Sequence, residues 1–341
     1  MVIRTVPPHP VPAIYDVCAV GNAIVDVIAD CDDAFLEEHG IVKGSMTLID
    51  EARADFLYKT MGPGIEMSGG SIANSAAGIA ALGGTPTYIG KVKDDQLGGI
   101  FRHDMRSSGV HYPTTPSKTG SATARCLILV TPDAQRSMNT YLGACVDLSA
   151  EDIDAQQVAN ASVTLLEGYL FDKPKAQEAF RVAAKISHEA GRQLALSLSD
   201  TFCVDRHREG FQELVRDEVD CLLTNEFELM SLYQASTFEE AIDAARALCS
   251  IVVCTRSEKG AVITHGAETY KIEAEPVPVL LDSTGAGDLF AAGFLYGFTH
   301  GHDLPTSGRI GSIAAAEVIG HYGPRPQHDL KELVRTKGIK L

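Results

Sequence analysis

The segment Asp282-Ser283-Thr284-Gly285-Ala286-Gly287-Asp288 places two glycines, one residue apart, directly before an acid. The apolar run that follows, Leu289 to Phe298, predicts a helix, and the segment before it, Tyr270 to Leu281, is extended in character. The glycines therefore fall at a loop-to-helix junction, where unpaired N–H groups and the helix dipole can hold an anion. Glycine also lets the backbone approach a phosphate without a Cβ in the way.

The acid that ends this segment, Asp288, is the candidate general base. A carboxylate at the mouth of an anion site repels a resting phosphate, but it can accept the proton of a hydroxyl that attacks that phosphate. The backbone N–H groups of Gly285, Ala286 and Gly287 would then stabilise the developing charge, as an oxyanion hole does. The alternative from these residues alone is an ordinary helix start with Asp288 as its cap.

Three further motifs accompany this segment along the chain. They are Gly21-Asn22-Ala23-Ile24-Val25-Asp26, Gly69-Gly70-Ser71-Ile72-Ala73-Asn74 and Asn225-Glu226-Phe227-Glu228. In this order and at these distances, the four motifs resemble those of the ribokinase (PfkB) family of carbohydrate and nucleoside kinases, over about residues 15–325. The first two motifs are most similar to those of the adenosine kinase branch.

From residue 160 onward, short apolar segments alternate with amphipathic ones, which predicts a parallel sheet covered on both faces. The predicted strands are Val163–Leu170, Leu194–Leu198, Cys221–Leu223 and Ile251–Thr255, and the predicted helices are Lys173–Ala190, Phe211–Val215 and Phe238–Cys249. Ligands of such sheets gather beyond the carboxyl ends of the strands. Asn225, Thr255 and the glycines at 285–287 are therefore expected to converge on one crevice.

The first 150 residues contain β-like segments with polar alternation and no helices beside them. These segments are Ile24–Ala29, Ser45–Leu48, Ala124–Val130 and Arg136–Tyr141. The resemblance implies an α/β, ribokinase-like fold, with a central mostly parallel sheet, helices on both faces and a small β-sheet lid. The expected boundaries are a loose N-terminal tail at 1–14, a kinase domain at 15–325 with a discontinuous lid at about 24–50 and 111–145, and a C-terminal segment at 326–341. The Ala-rich helix Ile72–Leu82 is expected in the main domain.

The resemblance assigns Asn225 and Glu228 to the nucleotide side, where an Asn-x-x-Glu motif places Mg²⁺ and its waters beside the triphosphate. Mg²⁺ keeps most of its water shell and needs only one or two carboxylates, often through water. The structural alternative is a capping box, with Asn225 at the N-cap and Glu228 as its partner, and both roles are compatible.

Thr255, Arg256 and Gly260 match the segment that lies near the nucleotide in the family. Ser257 stands where many relatives carry glycine, which puts the close approach of the backbone to ATP in question. Arg256 either contacts phosphate or lies on the surface. Arg136 falls at a lid position where adenosine kinases carry an arginine that faces the phosphates, and a surface salt bridge is the alternative.

Asp282 and Thr284 match positions that help bind a monovalent cation, usually K⁺, in ribokinase-like enzymes. Such a site also needs carbonyl groups from a distant loop, expected near Val318–Gly323. The alternative is a turn in which the side chain of Asp282 stabilises its own backbone.

On the acceptor side, the resemblance assigns Asp26, Gly70 and Asn74, with Asn22 in support. A carboxylate can accept hydrogen bonds from two vicinal hydroxyls, and an amide can both donate and accept. A nucleoside base would also need an apolar clamp. Phe202 of the main domain is the candidate, together with lid residues around Ile24, Leu127 and Leu129.

The composition narrows the classes of partner. The net charge of −16, from 29 basic and 45 acidic residues, argues against a nucleic acid partner, since no basic stripe is present. No apolar run of about 18 residues predicts a membrane span, and residues 1–12 lack the core of a signal peptide. Eight scattered cysteines, with no Cys-x-x-Cys pair, favour reduced thiols and a cytoplasmic location. The chain is expected to act as a monomer or a homodimer.

The sequence therefore predicts an ATP- and Mg²⁺-dependent kinase that phosphorylates a primary hydroxyl of a ribosyl compound, with adenosine as the first choice. A sugar kinase or another nucleoside kinase is the alternative within the enzyme class. A catalytically dead nucleotide or sugar sensor on the same scaffold is the alternative outside it. Neither a Walker motif nor a protein kinase motif is present.

Overall fold

The computed structural model describes residues 12–341, so most of the expected N-terminal tail, residues 1–11, lies outside it. In chain order the strands are β1 (Tyr15–Val20), β2 (Ile24–Asp30), β3 (Met46–Leu48), β4 (Ile65–Gly69), β5 (Thr87–Ile89), β6 (Ala124–Val130), β7 (Arg136–Tyr141), β8 (Ala161–Glu167), β9 (Gln193–Ser197), β10 (Cys221–Asn225), β11 (Ile251–Thr255), β12 (Ala261–His265) and β13 (Glu268–Ile272).

The helices are α1 (Asp33–Glu38), α2 (Glu51–Thr60), α3 (Ser71–Ala81), α4 (Gln96–Ser107), α5 (Ala155–Ala159), α6 (Pro174–Glu189), α7 (Thr201–Asp217), α8 (Glu226–Tyr233), α9 (Phe238–Arg246), α10 (Ala286–Thr299), α11 (Leu304–Val318) and α12 (Leu330–Thr336). Short 3₁₀ helices lie at Gly143–Asp147, Ala150–Asp152, Gly168–Asp172 and Ser257–Lys259.

The larger sheet contains eight strands in the order β13-β12-β11-β10-β9-β8-β1-β5. The strands from β11 to β5 are parallel, and β12 and β13 extend the sheet as an antiparallel edge. Successive residues of one strand pack into hydrophobic cores on opposite faces of this sheet. Leu223 and Val253 pack with α3, α10 and α11 on one face. Leu222 and Val252 pack with α6 to α9 on the other face. The predicted α/β fold with helices on both faces is confirmed.

The smaller sheet contains five strands in the order β3-β7-β6-β2-β4. Its fifth strand, β4, lies in sequence between the two expected lid spans and runs directly into the Gly69-Gly70 turn and α3. The parallel register of β2 and β6 sets Asp26 opposite Cys126 and Ile28 opposite Ile128. Because side chains alternate along a strand, Cys126 and Ile128 share the face of Asp26, and Leu127 lies on the other face.

Two local expectations were wrong. The first 150 residues do contain helices beside the small sheet: α2 is capped by Asp50, whose side chain accepts from the N–H of Arg53, and buries only Ala54 and Leu57. So small an apolar stripe leaves little periodicity for sequence analysis to detect. The segment Tyr270 to Leu281 is a strand only as far as Ile272.

The C-terminal segment packs on the main body, since Leu330 and Val334 of α12 are fully buried in the core. All eight cysteines lie in the described range and are free, and seven of them are buried. Within residues 12–341, none of the helices has the length and apolar character needed to cross a membrane.

Candidate active site

Asp288 lies in the first turn of α10 and joins two motifs that are more than 200 residues apart in sequence. Its Oδ1 accepts a hydrogen bond from the Ser71 hydroxyl at 2.6 Å, and its Oδ2 accepts one from the Asn74 amide at 2.8 Å. Burial raises the pKa of Asp288, and the hydrogen bonds from Ser71 and Asn74 and the charge of Arg325 act against that rise. The carboxylate is thus held in a fixed orientation at the start of a helix.

The two glycines before Asp288 have different constraints. Gly285 adopts a φ of +82°, and a Cβ there would lie 2.8 Å from the Cα of Pro324. Gly287 is the second residue of α10, with an ordinary φ, and a Cβ there would meet nothing within 4 Å. The prediction of a free N–H group at Ala286 was wrong, because this group donates to the carbonyl of Ser283 at 3.2 Å. The unpaired N–H groups expected at this helix start are those of Gly285, Gly287 and Asp288.

Asp282 organises the loop that precedes these glycines. Its Oδ1 accepts from the N–H of Thr284 at 3.0 Å and from the Thr284 hydroxyl at 2.6 Å, so the turn stabilised by an aspartate side chain is present. Its Oδ2 accepts from the N–H of Gly323 at 3.0 Å and pairs with Arg136 at 3.0 Å. Burial alone would raise the pKa of Asp282, but these partners lower it below its ordinary value.

The same contact fixes Arg136, which crosses from the small sheet to the main body. Its guanidinium pairs with Asp282 and lies over the ring of Tyr322, 5.7 Å from the centroid. The backbone of Ile319 closes the loop from the other side, since its carbonyl accepts from the N–H of Leu281 at 2.9 Å. The segment that the sequence predicted to supply carbonyl groups, Val318–Gly323, thus lies against the loop.

Asp26 faces the Gly69-Gly70 turn. A Cβ at Gly69 would lie 2.3 Å from Oδ2 of Asp26, and a Cβ at Gly70, which has a φ of +96°, would lie 2.5 Å from the carbonyl oxygen of Asn22. Only glycine allows this approach. Burial raises the pKa of Asp26 to about 7, although the charges of Arg325 and Arg136 act against the rise. The Oδ1 of Asn74 is buried and has no hydrogen-bond partner within the described residues.

Glu167, at the carboxyl end of β8, was missed by the sequence analysis. It is buried, it accepts from the N–H of Asn22, and burial raises its pKa to about 8. The hydroxyl of Tyr88 donates to the carbonyl of Asn22 at 2.8 Å, so Asn22 is fixed from two sides. The sequence feature that could have identified Glu167 is its position as a polar residue at the end of an apolar strand, the same position that Asn225 and Thr255 have in their strands.

Asn225 and Glu228 form the capping box that the sequence allowed. The Asn225 side chain accepts from the N–H groups of Phe227 and Glu228, and Glu228 accepts from the N–H of Asn225 at 3.0 Å. Burial raises the pKa of Glu228 to about 7. A narrow cavity connects these two residues with Gly287 and Asp288, so the predicted Mg²⁺ residues and the predicted base line one space.

A larger cleft of about 730 Å³ opens beside this cavity. Both polar and apolar residues line it. Its lining includes Asn225, Thr255, Ser257, Gly260, Val277, Leu280, Gly287, Phe290, Ala315 and Ile319. The predicted residues Thr255 and Gly260 therefore lie in one cleft with the glycine loop.

The segment around Arg256 has a structural explanation for the unusual serine. Ser257 adopts a φ of +52°, a left-handed conformation that explains why glycine suits this position. The guanidinium of Arg256 pairs with Glu226 at 2.9 Å and lies 3.8 Å from the centroid of the Phe238 ring. In this structure Arg256 is thus engaged by protein groups beside the cleft.

The expected apolar clamp is only partly assembled. The ring of Phe202, in the first turn of α7, is 73% exposed, and Ile24 is buried within the small sheet. The placement of Leu127 and Leu129 was wrong, because both are fully buried on the face of β6 opposite to Asp26. Cys126 and Ile128 occupy the face of β6 that the sequence analysis had assigned to Leu127 and Leu129.

The model of the pfkB family carbohydrate kinases matches residues 65–330. A probable sugar kinase from Rhizobium etli CFN 42 is 51% identical, with a TM-score of 0.89 over 96% of this chain and 99% of that one. The adenosine kinase from Sinorhizobium meliloti is 50% identical, with a TM-score of 0.88 over 95% of this chain and 100% of that one.

A more distant relative is a 5-dehydro-2-deoxygluconokinase from Lacticaseibacillus casei. It is 29% identical over 261 residues, which cover 74% of this chain and 80% of the relative. The names of these proteins include both nucleoside and sugar kinases.

Proposed function

The chain belongs to the pfkB family of carbohydrate kinases, and from that premise we propose that it transfers the γ-phosphoryl group of ATP to the 5′-hydroxyl of adenosine, giving AMP and ADP. The observation that carries this proposal is the position of Asp288. Its carboxylate is held by Ser71 and Asn74 where the glycine loop meets the acceptor-side motifs.

Asp288 is proposed as the general base. As the acceptor oxygen forms its bond to phosphorus, the O–H bond breaks and the proton passes to the carboxylate, while the bond to ADP breaks. The N–H groups of Gly285, Gly287 and Asp288 at the start of α10 stabilise the charge on the transferring group. Gly287 leaves room for that group because no atom lies within 4 Å of its missing Cβ.

The residues Asn225 and Glu228 fit a magnesium ion held through water. Both offer oxygen atoms, which hard divalent cations prefer, and both line the narrow cavity next to Asp288. Bound Mg²⁺ would neutralise charge on the β- and γ-phosphate oxygens. The capping box that orients Glu228 keeps its carboxylate in place for this role.

The acceptor is proposed to lie between the small sheet and α3. Asp26 and the unpaired Oδ1 of Asn74 would accept hydrogen bonds from the 2′- and 3′-hydroxyls, near the backbone of Gly70 and the fixed Asn22. This placement would direct the 5′-hydroxyl towards Asp288. Among the described residues, the buried Oδ1 of Asn74, which has no hydrogen-bond partner, is the feature that supports a polyhydroxyl ligand.

A base would be enclosed by apolar groups at both sides of this pocket. Ile24, Cys126 and Ile128 lie on the face of the small sheet that carries Asp26, and the exposed ring of Phe202 is available from the main body. Full burial of one large apolar side chain against the base would stabilise binding by about 1.5–3 kcal/mol. We further propose that the small sheet acts as a lid over the acceptor.

The cleft of about 730 Å³ is proposed as the site of the ATP base and sugar, with Thr255 and Gly260 along its wall. Arg136 is proposed to turn from Asp282 towards the phosphates when ATP binds. Arg256 is not proposed to bind the phosphates, because its guanidinium already contacts Glu226 and the ring of Phe238.

A K⁺ ion is proposed beside the glycine loop, held by Asp282, by Thr284 and by carbonyl groups of the segment at 318–323. The pairing of that segment with the loop supports this proposal, since Ile319 and Gly323 both bond to residues 281–282. If the proposal holds, replacing K⁺ by tetramethylammonium lowers kcat, and an unchanged kcat removes the cation from the function.

A sugar kinase is the second candidate, supported by the names of two relatives, the probable sugar kinase and the 5-dehydro-2-deoxygluconokinase. The adenosine proposal is supported by the likeness to the Sinorhizobium meliloti enzyme over nearly the whole chain. The free cysteines are consistent with a proposed cytoplasmic location.

The deciding experiment compares kcat/KM with ATP across adenosine, guanosine, inosine, ribose, fructose and 5-dehydro-2-deoxygluconate. Adenosine is expected to give the highest value, and 2′-deoxyadenosine a value about 5- to 150-fold lower, because a buried acceptor loses its partner. A sugar acid or sugar that exceeds adenosine tenfold overturns the adenosine assignment and leaves the kinase assignment standing.

A further inference from the structure

Arg325 is an arginine that neither the sequence motifs nor the proposed reaction uses, yet it lies within the site. Its Nη1 donates to the carbonyl of Ala73 at 3.1 Å, and its Nη2 donates to the carbonyl and the hydroxyl of Ser68, each at 3.1 Å. Ser68 and Ala73 lie on either side of the Gly69-Gly70 turn. The guanidinium therefore bridges the end of β4 and the first turn of α3.

The two residues before Arg325 contact the other half of the site. The N–H of Gly323 donates to Asp282, and Pro324 lies against Gly285, where a Cβ would come within 2.8 Å. The segment Gly323–Arg325 thus makes three successive contacts, two with the glycine loop and one with the acceptor-side turn.

The charge of Arg325 also acts on both carboxylates of the proposed reaction. Burial is the main cause of the raised pKa of Asp26 and of Asp288, and in each case Arg325 acts against the rise. The reciprocal effect is present, since burial lowers the pKa of Arg325 while Asp26 and Asp288 act against the fall. The two carboxylates repel each other, so a shared cation between them favours their joint ionisation.

We infer that Arg325 is a positioning residue for phosphoryl transfer: it fastens the Gly69-Gly70 turn to the segment behind the glycine loop and supplies the positive charge that Asp26 and Asp288 share. This inference rests on the proposed function, because it takes Asp288 as the base and Asp26 as the acceptor ligand. A guanidinium suits the task, since it can bond several oxygens in one plane and stays charged when buried.

Other charged and titratable groups surround these carboxylates and must be held constant in a test. The charges of Asp104 in α4 and Tyr88 in β5 affect the pKa of Arg325, and the charge of Arg136 in β7 affects that of Asp26. The charge of Asp288 raises the pKa values of Glu167 in β8 and of Tyr169.

The test uses two variants of the full chain, with a surface control. Arg325→Gln removes the charge, Arg325→Lys keeps the charge but not the planar set of donors, and Arg181→Gln removes an exposed arginine. The readouts are kcat and KM for both substrates across pH, with the acceptor that the wild type prefers. Carboxyl titration of the free protein by ¹³C NMR is the readout that needs no turnover.

In Arg325→Gln the acid limb of kcat/KM and the titrations of Asp26 and Asp288 are expected to move up by about 0.5–1 pH unit. In Arg325→Lys the acid limb is expected to stay in place while KM for the acceptor rises about fivefold to tenfold and KM for ATP does not change. Arg181→Gln is expected to match the wild type.

If the titrations of Asp26 and Asp288 do not change in Arg325→Gln, Arg325 does not supply a charge that these carboxylates share. If KM for the acceptor does not change in Arg325→Lys, Arg325 does not hold the Gly69-Gly70 turn in place. If Arg325→Gln does not fold, the lysine variant decides alone, and if neither folds, Arg325 is a folding residue and the inference is wrong. A wild type that phosphorylates no acceptor would reject the proposed function instead, and the NMR titration would still decide the role of Arg325.

Discussion

The pKa values of Asp282 and Glu226, beside the donor cleft, shift in the opposite direction to that of Asp26 on the acceptor side. Beside the donor cleft, Asp282 pairs with Arg136 and Glu226 pairs with Arg256. Hydrogen bonds from Thr284 and Gly323, and then the charge of Arg136, lower the pKa of Asp282 despite burial, and Arg256 and Lys259 lower that of Glu226. On the acceptor side, Asp26 is half-buried, and desolvation raises its pKa to about 7.

This difference fits what each side is proposed to bind. A triphosphate is repelled by a free carboxylate, and the arginines paired with Asp282 and Glu226 reduce that repulsion. Vicinal hydroxyls are uncharged donors, and they need carboxylates with free lone pairs. Cations lie near the acids on both sides, but at Asp26 the effect of desolvation exceeds that of Arg325 and Arg136, so its pKa stays raised.

The largest expected effect concerns the residue at the boundary between the two sides. Asp288→Asn keeps the shape of the side chain but removes the proton acceptor, so kcat should fall by about 10²–10⁴ with little change in KM for ATP. Steady-state turnover with a saturating acceptor measures this. A variant that keeps more than a third of the wild-type kcat excludes Asp288 as the base.

The two glycines of the loop give a matched pair. Gly287→Val adds a side chain into open space, so the fold should persist while kcat falls about 10²–10³-fold through loss of the phosphate position. Gly285→Ala should instead destabilise the fold by about 1–3 kcal/mol, because φ is +82° and Pro324 is too close. Circular dichroism during urea unfolding separates the two; equal loss of stability in both variants contradicts the distinction.

A second pair of variants tests the difference between the two sides of the site. Asp26→Asn should raise KM for the acceptor about 10–100-fold and leave KM for ATP unchanged, because the lost acceptor faces the hydroxyls. Asp282→Asn should do the reverse and impair ATP use about tenfold, since it releases Arg136 and the turn at Thr284. If both variants impair the same substrate, the division of the site into two sides is wrong.

The smallest expected effect is on thermal stability. The pKa of Asp26 is about 7 in the folded chain, above the ordinary value of about 3.9 in the unfolded chain. Between about pH 4 and pH 7, Asp26 stays protonated in the folded chain but is ionised in the unfolded chain. The contribution of Asp26 to the free energy of unfolding is therefore fully present below about pH 4 and is lost as pH rises to about 7.

Asparagine stays neutral, so Asp26→Asn should raise Tm by about 2–5 °C at pH 8 and leave it unchanged at pH 4. Differential scanning fluorimetry across pH measures this, with the exposed Glu239→Gln as the control. A lower Tm for Asp26→Asn at pH 8 would show that the ionised carboxylate stabilises the fold.

The sequence by itself determined the elements whose signal is local. The bounds of β6, β7 and β11 match the predicted segments, because a continuous or alternating apolar pattern defines a strand within a few residues. The order of four motifs identified the kinase family, and the capping box of Asn225 and Glu228 could be predicted from their spacing.

Only the tertiary structure decided which residues meet. Glu167 and Arg325 belong to no local motif, and their place in the site depends on contacts with residues 145 and more than 250 positions away. The face of Leu127 follows from the register of β2 with β6, and the constraint on Gly285 follows from Pro324. Periodicity and capping are properties of neighbouring residues, whereas the register of a sheet and the packing of distant loops depend on how the whole core is filled.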